Sequence, residues 1–231
     1  METVITPYIP RRLTDEELVG RDAPHVKHIF WTYFAVLVVV SMFSYVVLGD
    51  RRYDLHLLFN DLALFVTTCV IGLVYRQSLA VQVKQLGFDK LEAWIGLGLL
   101  APTIGLNYLY HILLLRPIMP HETHSFFDHL RADVPSEATI VFAFCIFPAI
   151  TEEIAFRGLV QHWLQAAISP WKAIAFASFL FAAMHFSIVS FPYLLLVGML
   201  LGWTKWKTGS LYPSMLIHFL HNFIVIETFP M

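Results

Sequence analysis

Charge is what this chain has least of. Asp, Glu, Lys and Arg make up 14% of its 231 residues, where an ordinary soluble domain carries about a quarter. That is too little to wrap a water-soluble globule of this size, which excludes a cytosolic enzyme. Cysteine is nearly absent as well. Cys69 and Cys145 both sit inside apolar runs without metal-type spacing, which excludes a disulfide-stapled secreted domain and reads as two small core- or lipid-facing residues. The formal net charge of −2 leaves no basic field for nucleic acid or anionic lipid. There is no solenoid repeat and no low-complexity tract. What is abundant is apolar: 58% hydrophobic and 15% aromatic residues, with a mean hydropathy of +0.66, far too much for a disordered chain. The composition predicts an all-α, polytopic transmembrane helical bundle whose partner is the lipid bilayer.

Residues 1–28 are polar, with Arg11, Arg12, Arg21 and Lys27 and prolines at 7, 10 and 24. No apolar stretch follows Met1, so this segment reads as a cytoplasmic tail rather than a signal peptide. Residues 29–231 read as one transmembrane domain. Windows of about 20 apolar residues give about seven spans: Ile29–Leu48, Leu57–Tyr75, Leu91–Leu115 with a kink expected at Pro102, Glu137–Leu164, Trp171–Phe186, Phe191–Trp206 and Leu211–Phe229. An N-terminus on the inside puts ten Lys/Arg in inner segments and four in outer loops, the distribution the positive-inside rule favours. The longest loop, Arg116–Ser136, is rich in His and acid but has no tight ligand spacing, and reads as a solvated surface loop.

Ionisable groups inside apolar spans are costly and mark function or a water-filled cavity. Asn60 and Asp61 lie near the start of their span and read as an interfacial cap. More telling is Thr151-Glu152-Glu153-Ile-Ala-Phe-Arg157. Adjacent helical residues point about 100° apart, so the two carboxylates cannot share one job. Glu153 and Arg157 are spaced i, i+4 with the acid first, which suits an ion pair. Glu152 then faces elsewhere, a candidate general base. His185 stands alone on an apolar run, whereas His218 and Asn222 share a face at i, i+4; His221 lies close to that face and is given no role. With these spans, Glu152, His185 and His218 are expected near the middle of their helices, at one depth, forming a catalytic core over about residues 137–226.

The order of these groups resembles the CAAX-prenyl-protease and bacteriocin-processing family of glutamic-type intramembrane endopeptidases. The family pattern Glu-Glu-x-x-x-Arg, Phe-x-x-x-His, His-x-x-x-Asn is met by Glu152-Glu153-x-x-x-Arg157, Phe181-x-x-x-His185 and His218-x-x-x-Asn222. Gly198-x-x-x-Gly202, Thr208-Gly209-Ser210-Leu211-Tyr212-Pro213 and, far upstream, Leu86-Gly87-Phe88 also fit. The resemblance covers the C-terminal 85 residues or so. It implies an intramembrane peptide hydrolase in which Glu152 is the general base, His185 holds the water, and His218 and Asn222 form an oxyanion hole, with Glu153 and Arg157 in support. No metal or other cofactor is then needed; a Zn²⁺ site built from Glu152, His185 and His218, with His221 as a further candidate ligand, is the alternative.

The substrate implied is the C-terminal segment of a membrane-associated protein or peptide, either a prenylated CAAX-type tail or a sorting or anchor segment. The short chain and brief loops point to a prokaryotic cell membrane. Two other classes compete. A non-catalytic immunity or binding protein is expected to have eroded motifs, and these are intact. A solute transporter is expected to carry polar groups in both halves, and here they gather in the C-terminal half.

Overall fold

The computed structural model describes residues 53–115, 136–185 and 187–228, with residue 117 and scattered helical positions between 31 and 46. The N-terminal tail, most of the first expected span and the His-rich loop lie outside the described residues. The backbone of Asn60 and Asp61 is helical, but their side chains are also outside them.

Every regular element described is helical. In chain order these are α1 (Tyr53–Val74), α2 (Arg76–Gln82), α3 (Leu91–Tyr110, extended by a wide π turn His111–Leu115), α4 (Glu137–Ala167), α5 (Pro170–Ala183), α6 (Phe191–Thr208) and α7 (Tyr212–Thr228). Local chemistry sets the ends. Ser136 caps α4, its Oγ accepting from the Thr139 amide at 3.3 Å, as N-cap serines do. Pro170 and Pro192 stand in the first turns of α5 and α6, where a missing N–H costs nothing. Gly209 closes α6 in the left-handed region at φ +70°, after Lys205 and Lys207 have placed positive charge in the last turn.

Two helices, Leu91–Leu114 and Glu137–Ala167, are long and apolar enough to cross a bilayer. Leu62–Val74 with Arg76–Gln82 makes a third candidate, bent by 97°. The expectation of seven spans is therefore met only in part among the described residues. Length is the reason at α5: its 14 residues rise about 21 Å at 1.5 Å each, well short of a hydrocarbon core of about 30 Å. Pro102 lies inside α3, and Leu91–Leu114 nonetheless counts as one helix.

Large apolar side chains face outward as well as inward, and several ionisable ones are buried. Leu73, Val74, Leu91, Trp94, Leu113, Trp171 and Phe179 are exposed, whereas Glu153, Arg157, Gln161 and His218 are buried. Apolar packing surrounds these groups. Phe156, Leu159, Val160 and Trp163 of α4 meet Ala177, Leu180 and Phe181 of α5 and Leu64 and Ile71 of α1. A second cluster joins Leu100 of α3 to Val197, Leu200 and Leu201 of α6 and Ile217 of α7. Cys145 is buried in a third with Ile140 and Ile226, whereas Cys69 is exposed; both are free.

Glycine lets α6 come close. A Cβ at Gly198 would sit 2.9 Å from the Ser178 Cβ, and one at Gly202 would sit 2.7 Å from Gln161 Oε1. With no side chains there, Arg157 and Gln161 of α4 reach across to the α6 backbone. Arg157 Nη2 donates to the Gly198 carbonyl at 3.3 Å, and Gln161 Nε2 to the Gly202 carbonyl at 2.9 Å. Two residues four apart on one helix thus pair with two carbonyls four apart on the next, the small-residue contact that apolar surroundings favour.

From the N-terminal half, α2 ties in at two places. Gln82 Nε2 donates to the Gly158 carbonyl at 2.9 Å, and the Gln82 carbonyl accepts from the Leu211 amide at 3.2 Å. Just beyond, Ser210 Oγ donates to the Gln85 carbonyl at 2.7 Å. There Gly87 takes φ +75°, with a built Cβ only 2.7 Å from Ser210 Cβ.

Candidate active site

Two stretches of α4 are wide π-helical turns, Phe142–Ile146 and Glu153–Gln161, a distortion common where a helix carries function. At the start of the second the two carboxylates separate. Glu153 is fully buried, and its Oε1 accepts from Arg157 Nη1 at 2.9 Å and from His218 Nδ1 at 3.1 Å. Arg157, equally buried, has its guanidinium 4.4 Å from the centre of the Phe181 ring, a favourable cation–π placement. The i, i+4 ion pair read from the sequence is present.

Glu152 is the free member of the pair. Its side chain is 13% exposed, and Oε2 lies 3.8 Å from His218 Nε2. That is beyond hydrogen-bonding distance, and Oε2 has no hydrogen-bond partner among the described residues. His218 thus presents one ring nitrogen to each glutamate. In the neutral state Nδ1 holds the proton given to Glu153; a second proton makes Nε2 a donor as well.

His185 departs from expectation. It sits just past the end of α5, in the turn after Ala183, and is exposed rather than at mid-helix. The apolar run continues to Phe186, so composition conceals where the helix stops. Its Nδ1 donates to the Phe181 carbonyl at 2.8 Å, which leaves Nε2 as an acceptor. The Phe181 ring meets His185 edge-on at 4.9 Å and His218 at 5.7 Å, so one aromatic side chain spaces both histidines.

Asn222, on the α7 face it shares with His218, makes its hydrogen bonds with other groups. No hydrogen bond joins it to His218 or Glu152 among the described residues. Its Nδ2 donates to the Phe144 carbonyl at 2.9 Å and its Oδ1 accepts from His221 Nδ1 at 2.8 Å. His221 Nε2 in turn meets the Tyr193 hydroxyl. His185, His221, Asn222, Tyr193, Phe144, Asn107, Tyr110 and His111 line one cavity of about 280 Å³. The arrangement therefore has two parts: a dry Glu–Arg–His network, and a cavity beside it into which His185 and Asn222 bring polar groups among apolar neighbours such as Leu194, Val225 and Ile226.

Sequence reasoning missed Asn107 and Tyr193. Asn107 is 5% exposed on α3 and lines the cavity. A lone Asn or Tyr in an apolar run has no spacing that marks it. Among the described residues no group of three or more His, Cys, Asp or Glu is disposed to hold a metal ion.

An all-helical fold with lipophilic faces and a buried Glu–Arg–His network defines the broad class, and comparison with known proteins narrows it. Residues 134–224 match the family model described as Type II CAAX prenyl endopeptidase Rce1-like. All three motifs fall inside that stretch, so the family resemblance read from them holds there. No curated protein and no solved structure matches the chain.

Proposed function

We propose that the protein is a multi-pass integral membrane endopeptidase, N-terminus inside, in a prokaryotic cell membrane. It hydrolyses a peptide bond near the C-terminus of a membrane-associated protein or peptide. The observation that carries this reading is the division of labour between adjacent glutamates. Glu153 is occupied by Arg157 and His218, while Glu152 keeps a buried oxygen without a hydrogen-bond partner among the described residues.

Glu152 acts as general base, taking one proton from a water while His185 Nε2 accepts the other hydrogen and so aims the water's lone pair. The water oxygen bonds to the scissile carbonyl carbon, and the carbonyl oxygen becomes an oxyanion. Asn222 Nδ2–H and, once protonated, His218 Nε2–H donate to it. The tetrahedral intermediate collapses with its C–N bond broken, and Glu152 returns its proton to the leaving amine. Asn107 offers both a donor and an acceptor, the pair an extended peptide needs for its own C=O and N–H. A prenylated CAAX-type tail and a C-terminal sorting or anchor segment both suit a cavity whose lining mixes Asn107, His185 and Asn222 with Leu194, Val225 and Ile226.

The test uses purified full-length protein in lipid nanodiscs with farnesylated, unprenylated and anchor-type peptides. Glu152→Gln and His218→Ala are expected to abolish cleavage while the protein stays folded, and wild-type cleavage is expected to survive chelation. Wild-type turnover by either folded variant overturns the assignment. Activity lost on chelation and restored by Zn²⁺ overturns the metal-free mechanism and makes Glu152 and the histidines ligands.

A further inference from the structure

We propose that His221 is a positioning residue: with Tyr193 behind it, it fixes which way the Asn222 carboxamide faces and so delivers an N–H rather than an oxygen to the cavity. This rests on the reading of Asn222 as an oxyanion donor.

The two ends of an amide are nearly the same size, so shape alone cannot choose between them. Here two partners choose. The Phe144 carbonyl can only accept, and it lies 2.9 Å from Asn222 Nδ2. On the other side His221 Nδ1 lies 2.8 Å from Asn222 Oδ1, which requires the proton on Nδ1. The Tyr193 hydroxyl on Nε2 completes the chain: Tyr193 donates to His221, His221 to Asn222, Asn222 to Phe144. Reversing any one link sets two acceptors or two donors against each other. A flipped Asn222 amide would put Oδ1 against the Phe144 carbonyl and an N–H against the His221 donor.

The chain joins three helices, with Phe144 on α4, Tyr193 on α6 and His221 and Asn222 on α7. All four side chains border the same cavity. Nδ2 carries two hydrogens, and one is taken by Phe144. The other has no protein partner among the described residues, and the cavity is where a substrate oxygen can meet it. His221 itself is 5% exposed, and its two ring nitrogens are both engaged, so it has no atom left for substrate. It acts through Asn222.

The experiment pairs kinetics with the exchange of the Asn222 side-chain amide protons, followed by NMR on full-length protein in nanodiscs. Misplacing an oxyanion donor costs on the order of 10- to 100-fold in rate. His221→Phe is therefore expected to lower kcat by about that factor with KM nearly unchanged, and to speed exchange at Asn222. His221→Gln, whose amide can still donate to Oδ1, is expected to recover most of the loss. In an Asn222→Ala background, His221→Phe is expected to cost nothing further. An equal loss in both backgrounds overturns the proposal. So does unaltered Asn222 exchange in folded His221→Phe.

If His221→Phe does not fold, Tyr193→Phe removes a single hydroxyl. It is expected to speed Asn222 exchange and lower kcat by roughly 3- to 10-fold, and no change in either overturns the proposal. Failure of the parent reading looks different. Glu152→Gln then still turns over, or the wild type cleaves none of the peptides, while the exchange measurement decides the role of His221 by itself.

Discussion

Glu153→Gln is the sharpest probe of the buried network, because it removes a charge without changing the packing. Gln has nearly the volume of Glu, so no cavity term enters. Its Oε1 can still accept from Arg157 Nη1 and His218 Nδ1, so those contacts at 2.9 and 3.1 Å survive in neutral form. What disappears is the one carboxylate that, among the described residues, is bonded to a guanidinium with no exposed surface. The guanidinium also donates to one carbonyl at 3.3 Å and lies over one ring face. Breaking a fully buried pair from one side costs about 3–5 kcal/mol. Retained hydrogen bonds put this case near the lower end, about 3 kcal/mol, which is a large share of a total of roughly 5–15 kcal/mol. Equilibrium unfolding in mixed micelles measures it. Arg157→Met in the same chain removes the stranded cation, so the double variant is expected to be less destabilised than the sum of the singles by about 1–3 kcal/mol. A Glu153→Gln protein within about 0.5 kcal/mol of wild type, or strictly additive singles, refutes the reasoning.

Other predictions are independent of this one. Gly198→Ala places a methyl 2.9 Å from Ser178 Cβ and is expected to cost about 1–3 kcal/mol by overpacking; Ser178→Gly in the same chain should return most of it, as thermal unfolding will show. Asn107→Leu is expected to raise KM several-fold, on the order of one lost hydrogen bond, with kcat held. A fall in kcat at constant KM would remove Asn107 from substrate binding. Gln82→Leu leaves the Gly158 carbonyl without its side-chain donor and is expected to destabilise by about 1–3 kcal/mol.

Much of the dry network was legible because helix geometry turns spacing into contact. Glu153 and Arg157 at i, i+4 could hardly avoid each other, and the same rule left Glu152 over. The rule covers only one helix at a time. It placed His218 and Asn222 on a common face, yet each is also held by a group on another helix: Glu153 for one, the Phe144 carbonyl for the other. Tyr193 and Asn107 became visible only when α6 and α3 packed beside α7. Helix ends were read to within a few residues at α3, α4, α6 and α7. At α5 the apolar run outlasts the helix, and His185 was misjudged with it. Arg76–Gln82 fell between two expected spans and was not read as a helix, because its seven residues hold too few turns for periodicity to speak.

That short bent piece bears on modularity. Gln82 grips α4 at Gly158 and the start of α7 at Leu211, and the Gln85–Gly87 segment closes over Ser210. The stretch that matches the family model is thus clamped from outside its own boundaries. A chimera grafting residues 134–224 alone into another scaffold would leave the Gly158 carbonyl, the Leu211 amide and the Ser210 hydroxyl without these partners. The smallest transplantable unit has to bring residues 76–87 with it.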